Sequence, residues 1–225
     1  MNKVTKLTEE SIQQILDWIY EKAINGIPGV ESAQQLADNF MDAGKSNKKI
    51  ISSLVNWQIA KATTTGFLAG LGGLILLPLT LPASFTSVTF IQMRMIAAIA
   101  IMGGYNPHDD RVKTLVYACL TGASLKDLLK GAGISLTTKL TKSAINSISG
   151  QALKVINQRV GFRLITKFGE KGIVNLGKLI PIAGGIVGGT IDGFSTKAIG
   201  QIASKVFLTE DSAAKASEQS KGVTP

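Results

Sequence analysis

A chain of 225 residues is long enough to build one substantial core, so a single domain is expected. Hydrophobic residues make up 45% of it and the mean hydropathy is +0.24, high for a soluble domain and low for a polytopic membrane protein. One cysteine and one histidine exclude an intramolecular disulfide and a Cys/His structural zinc site, while a net charge of +9 directs attention to anionic partners.

Thr8 is placed to cap a first helix, with Ile12, Ile15, Leu16, Ile19 and Ala23 on one face and acids in its early turns. Asn25-Gly26 and Pro28-Gly29 end it. A second helix is predicted from near Val30, with Val30, Ala33, Ala37 and Phe40 on one stripe, and Asp42-Ala43-Gly44 stops it. From Asn47, residues Ile50, Ile51, Leu54, Val55 and Ile59 form a third apolar face that runs into the Gly-rich stretch Gly66–Pro82. The 14 residues Gly66–Leu79 would reach only about 21 Å as a helix, short of the roughly 30 Å hydrocarbon core, so a shallow or re-entrant pair is expected there rather than a conventional span. Two prolines within Leu77–Pro82 force the chain to turn or kink.

The next predicted helix, Ser84–Met102, is apolar nearly all round and ends at Gly103-Gly104. Pro107, His108, Asp109 and Asp110 open another through Cys119; the acidic cluster reads as a cap and Cys119 as a buried, inert thiol. Leu125–Ser147 carries leucines at helical spacing, with Gly131 and Gly133 as points of interruption. Val155–Phe168 follows, then a last helix over Ile182–Leu208. Beyond Thr209 the sequence is polar and reads as a disordered tail. Almost nothing alternates strictly between polar and apolar. The expected fold class is therefore all-α: a single compact multi-helix domain over 8–208 with Gly-rich central helices, and a tail over 209–225.

Three features carry the functional expectation. Gly184, Gly185, Gly188, Gly189 and Gly193, like Gly66 and Gly70, recur at steps of four and strip side chains from one helical stripe, which favours close helix packing. Arg94 and Asp192 each stand alone in an apolar helix, and a buried charge needs a partner, so the two are predicted to pair. Arg159, Arg163 and Lys167 recur at steps of four, with Lys171 and Lys178 nearby, as a basic ridge suited to lipid phosphates. The charge is localised: residues 111–178 hold twelve Lys or Arg against Asp127 and Glu170, whereas residues 1–60 hold six lysines against seven acids. Phenylalanines of the C-terminal two thirds are not interleaved with basic residues as a base-stacking platform requires, which disfavours nucleic acid.

Other chemistry is thinly represented. Gly172–Lys178 fits GxxxxGK, but Leu179 stands where a phosphate-binding loop needs a magnesium-ligating hydroxyl. No nucleophile elbow or HExxH motif occurs, and neither a cofactor nor a metal is expected. Catalysis by dispersed residues would need a polar pocket around Arg94, Arg163, Lys178 and Asp192. The start MNKVTKLTEESIQQ has no apolar stretch of the kind a secretory signal carries, which leads to the expectation of a cytoplasmic protein.

Three long stretches resemble a known family: GFLAGLGGLILLPLTLPASFTSVTFIQMRMIAAIAIMGGYN (Gly66–Asn106), DDRVKTLVYACLTG (Asp109–Gly122) and GFRLITKFGEKGIVNLGKLIPIAGGIVGGTIDGFSTKAIGQIASKVF (Gly161–Phe207). On these the chain resembles the EcsC family of bacterial proteins, over most of residues 10–208; Ser124–Ser149 departs most. The resemblance implies a link to a locus that also encodes parts of an ABC transporter. It carries over Arg94, Arg163, Lys167, Glu170, Lys171, Asn175, Lys178 and Asp192 as shared structure or surface binding, without assigning an acid, base or nucleophile. The expected function is a non-enzymatic helical protein, peripheral at the inner face of the cytoplasmic membrane. It would bind anionic lipid, or a membrane protein, through its basic face and Gly-rich helices. The alternatives are a soluble scaffold for a protein partner, linked to ABC transport, and an enzyme with a site that no motif marks.

Overall fold

Local signals set the first helix. In the computed structural model, which describes residues 8–41, 46–62, 83–122, 125–134, 141–168 and 186–208, α1 spans Glu9–Asn25. The Thr8 hydroxyl accepts from the Ser11 amide at 3.1 Å, and the Ser11 hydroxyl accepts from the Thr8 amide at 2.9 Å. Each side chain thus satisfies a backbone donor that the helix start would leave bare. The predicted face of Ile12, Ile15, Leu16, Ile19 and Ala23 is buried, joined by Tyr20.

The second helix starts later than predicted. Ile27 and Val30 exchange backbone hydrogen bonds of 3.1 and 2.8 Å across Pro28-Gly29, with Gly29 at φ 79°. That is a tight turn with proline pre-set at its second position and glycine supplying the positive φ at its third. Val30 is buried, but from this turn. Helix α2 is Ala33–Phe40, capped reciprocally by Ser32 and Gln35. Helix α3 is Asn47–Ala62 and buries Ile50, Ile51, Leu54 and Val55 as expected, with Ile59, the last residue of the predicted face, half-buried.

Helix α4, Ala83–Met102, is the hub. It packs against α1, α2 and α3, against α5 (Asp110–Cys119) and against the last helix, α9 (Ile186–Phe207). A helix that is apolar on every side must be covered on every side. Every residue from Thr89 to Ala100 is buried. Each fully buried Phe, Ile or Met there contributes roughly 1.5–3 kcal/mol relative to exposure.

Asp109 caps α5 by accepting from the Arg111 amide at 2.7 Å, the role read for the His108–Asp110 cluster, and Cys119 is buried. The stretch Leu125–Ser147 is interrupted where its glycines predict. Helix α6 ends after Leu125–Lys130, α7 covers only Lys142–Asn146, and α8 begins at Gly150, five residues earlier than predicted, and runs to Phe168. Gly133, at φ 80°, stops α6: its amide bonds Lys130 and the Ile134 amide reaches back to Leu129. These paired bonds cap the last carbonyls through a left-handed residue, which glycine adopts without a Cβ clash. Among the described residues there are nine helices and no strand beyond the isolated Ile27–Val30 bridge; the architecture is all-α.

Two glycines allow close helix approach, though neither is among the seven named from sequence. A Cβ on Gly103 would run into the Phe207 carbonyl, and one on Gly200 would lie 2.6 Å from Val55 Cγ2 with Met95 behind it. Gly200 lies seven residues beyond Gly193, two helical turns along the same stripe. The side chain of Gln92 donates to the Thr196 hydroxyl at 3.3 Å and ties α4 to α9 beside this contact. Gly66, Gly70, Gly184 and Gly185 lie outside the described residues. Gly188, Gly189 and Gly193 fall within α9, where the contacts of residues 186–195 lie outside the description; the tail 209–225 does also.

Candidate functional site

Helix α8 packs on α1, α5 and α6 through Ile156, Val160 and Leu164 and turns its other face outward. Over residues 150–168 it carries Lys154, Arg159, Arg163 and Lys167 and no acidic residue. Lys154, Gln158, Arg159, Phe162 and Thr166 are exposed and Arg163 is half-buried. Phe162 is 59% exposed, against 40% for Met41, the other large hydrophobic of the described residues that stands open to solvent. Removing a phenylalanine from water is favourable, so leaving one this open has a cost that nothing among the described residues recovers.

Beside Phe162 lies an open groove of about 610 Å³. Gln158, Arg159, Phe162, Arg163 and Thr166 of α8, Leu128 of α6 and Glu9 at the start of α1 line it. Gly161 lies near Glu9: a Cβ there would make ordinary van der Waals contact with the Glu9 backbone at 3.8 Å. The Arg159 guanidinium lies directly over Gly131, in the volume a side chain at that position would fill.

The structure therefore places two of the predicted basic residues, Arg159 and Arg163, on one groove. Lys171 and Lys178 lie outside the described residues, as does the side chain of Lys167. The sequence reading that phenylalanines are not interleaved with basic residues is corrected at Phe162, which stands between Arg159 and Arg163. The signal was present as Arg159-Val-Gly-Phe-Arg163, but apolar residues are mostly buried and nothing local shows which one is not.

Arg94 is fully buried at the middle of α4. Its Nη1 donates to the Glu31 carbonyl at 3.0 Å, its Nη2 to Gln58 Oε1 at 2.8 Å, and the guanidinium lies 5.7 Å from the Phe90 ring centroid. Burial lowers its pKa to about 10, with the Glu31 charge opposing the fall, so it is still a cation at neutral pH. Gln58 and Glu31 are partners that the sequence did not reveal; the side chain of Asp192, the predicted one, lies outside the described residues. Arg94 and Arg163 do not share a pocket, since one is sealed among α2, α3 and α4 and the other lines the α8 groove.

A second polar cluster joins α1 to α5. The Tyr117 hydroxyl donates to Asp17 Oδ1 at 2.8 Å, and Lys113 pairs with the same oxygen. Tyr20 meets the Tyr117 ring edge-on at 5.6 Å and donates to the Pro107 carbonyl at 2.7 Å. Burial pushes both phenols well above their ordinary range, and Asp17 adds to the rise at Tyr117. Phenols held this way donate hydrogen bonds and do not ionise at neutral pH, so the cluster fastens two helices. Burial likewise pushes the Cys119 thiol up, which keeps it from the nucleophilic thiolate form. Among the described residues no three His, Cys, Asp or Glu gather as metal ligands, and no helix is long and apolar enough to cross a membrane.

Comparison with curated proteins and with solved structures gives no match. The EcsC protein family, in contrast, matches residues 1–209, nearly the whole of the chain. The hub helix α4 and the groove-bearing helix α8 both fall within the matched span, and the protein belongs to the EcsC family.

Proposed function

We propose that this EcsC-family chain is a peripheral, non-enzymatic protein that docks on anionic lipid at the inner face of the cytoplasmic membrane. The supporting observation is the outward face of α8, with Lys154 and Arg159 exposed, Arg163 beside them and no acid in the helix. Each cation brought near an anionic headgroup layer contributes on the order of 1 kcal/mol, so Lys154, Arg159 and Arg163 give roughly 3 kcal/mol in total. That is millimolar attachment, reversible and weakened by salt. Lys171 and Lys178 are further candidates on the same stretch of sequence. Docking of this kind holds a protein at the bilayer surface without a spanning helix.

Flotation on vesicles of phosphatidylcholine alone and of phosphatidylcholine with phosphatidylglycerol tests this. Binding should appear only on the anionic vesicles and should fall as salt is raised. Equal recovery on both compositions, or on neither, would defeat the reading and leave the scaffold for a protein partner in its place.

A further inference from the structure

The charge of α8 explains attraction to an anionic surface but not the groove beside it, the open Phe162 or the seat of Arg159 on Gly131. We infer that the groove between α1, α6 and α8 is a preformed site for the phosphodiester of one anionic phospholipid, with Phe162 entering the apolar edge of the bilayer. The inference rests on the membrane reading for the source of its ligand and goes beyond it in assigning a defined site.

Gly131 supplies the first argument. Its φ is not positive, and its amide makes a helical bond of 3.0 Å to the Asp127 carbonyl, so the backbone does not call for glycine. The Arg159 guanidinium, the far end of a flexible side chain, lies in the volume that a Cβ at this position would fill. An exposed arginine thus lies against bare backbone, and contact of this kind reduces the freedom it loses when it binds. Arg163 follows one turn later on the same helix, about 6 Å along the axis, so two planar forks can share the oxygens of one phosphate.

The apolar half supplies the second argument. Phe162, 59% exposed beside these arginines, supplies the open apolar surface of the groove, since Leu128 lines it but is only 1% exposed. A bare anion would use the guanidinium groups and leave the ring in water. A phospholipid uses both, because its phosphate lies just above the glycerol and the first methylenes of its chains. Phenylalanine between cations is the pairing that an interfacial face employs. Glu9 is the groove's carboxylate; it limits how much negative charge the site accepts, which suits a singly charged phosphodiester better than a phosphomonoester or a polyphosphate.

The test keeps net charge constant. Gly131→Ala and Arg159→Lys leave it at +9, the first by displacing the guanidinium and the second by replacing its fork. Phe162→Ala removes only apolar surface. On phosphatidylglycerol vesicles, with folding checked by circular dichroism and thermal unfolding, we expect affinity to fall about fivefold for each charge-conserving variant and about tenfold for Phe162→Ala. If all three bind as the parent does while the parent retains its preference for anionic vesicles, the defined site is overturned and surface attraction stands. Loss of all vesicle binding by the parent itself overturns both. Soluble dihexanoyl phosphatidylglycerol should compete with vesicles where glycerol 1-phosphate at the same concentration does not. Equal competition by glycerol 1-phosphate, or competition only by an RNA oligonucleotide, would remove the lipid assignment.

Discussion

Arg94 and Arg159 are the same side chain placed in opposite surroundings, on the hub helix α4 and on the outer helix α8. Arg94 has no exposure, donates to Gln58 and the Glu31 carbonyl, and has its pKa lowered to about 10 by burial. Arg159 is exposed, rests on the bare backbone of Gly131 and borders an open groove. The first is spent on holding three segments of the chain together, because a buried guanidinium must be satisfied from within. The second lies exposed over Gly131 at the edge of the groove, open to an outside partner. An unusual charge in an apolar helix therefore marked the architecture, and an ordinary charge in an ordinary helix marked the candidate site.

That contrast breaks most visibly at Arg94. Arg94→Ala should cost roughly 3–5 kcal/mol in denaturant unfolding, because it leaves a cavity and strands the Gln58 side chain and a carbonyl. It should leave vesicle binding per folded molecule unchanged. A loss below about 1 kcal/mol would mean that the interior does not depend on this cation.

The close approach of the hub to its neighbours comes next. Gly200→Val inserts a side chain where even a Cβ would lie 2.6 Å from Val55 Cγ2, and the overpacking should cost roughly 1–3 kcal/mol. Gly131→Ala, which displaces only the tip of a flexible side chain, should leave unfolding essentially unaltered. Equal destabilisation by the two would erase the distinction between packing glycine and seating glycine.

A smaller effect sharpens the interior side. Tyr20 and Tyr117 keep their protons in the folded state above the ordinary value of 10.0, whereas unfolded tyrosine loses its proton near that value. Their contribution is complete below pH 10.0 and is lost as pH rises beyond it, because the unfolded state then binds fewer protons. Thermal midpoints should drop above that pH, and tyrosinate absorbance should appear together with unfolding. Ionisation of these tyrosines in the folded protein would contradict their burial.

Much of the framework was legible because it is local. Thr8 at the start of α1, the periodicity of α1 and α3, the limits of α4 and the Asp109 cap follow from neighbouring residues and hold in the structure. The start of α2 was also local, since Ser32-Ala-Gln-Gln35 has the capping-box spacing, but the apolar Val30 masked it. What was not legible depends on distant parts of the chain. Gly131 and Gly133 look alike in sequence; one ends a helix through its φ, and the other yields space to a residue 28 positions further on, at Arg159. Phe162 has the composition of a core residue, and only the packing of α8 on α1, α5 and α6 leaves it outside. Gln58 and Glu31 could not be matched to Arg94 by spacing, because folding alone brings α3 and the turn before α2 to α4.

The central claim is that α8 meets lipid, and hydroxyl-radical footprinting of the vesicle-bound protein reads it residue by residue. Phe162 and Met41 serve as probe and reference, since both are exposed and they stand on different helix surfaces. On phosphatidylglycerol vesicles, oxidation of Phe162 should fall several-fold while Met41 keeps the rate it shows in free protein. Bound protein in which Phe162 stays fully reactive, or in which Met41 alone is shielded, would contradict the account.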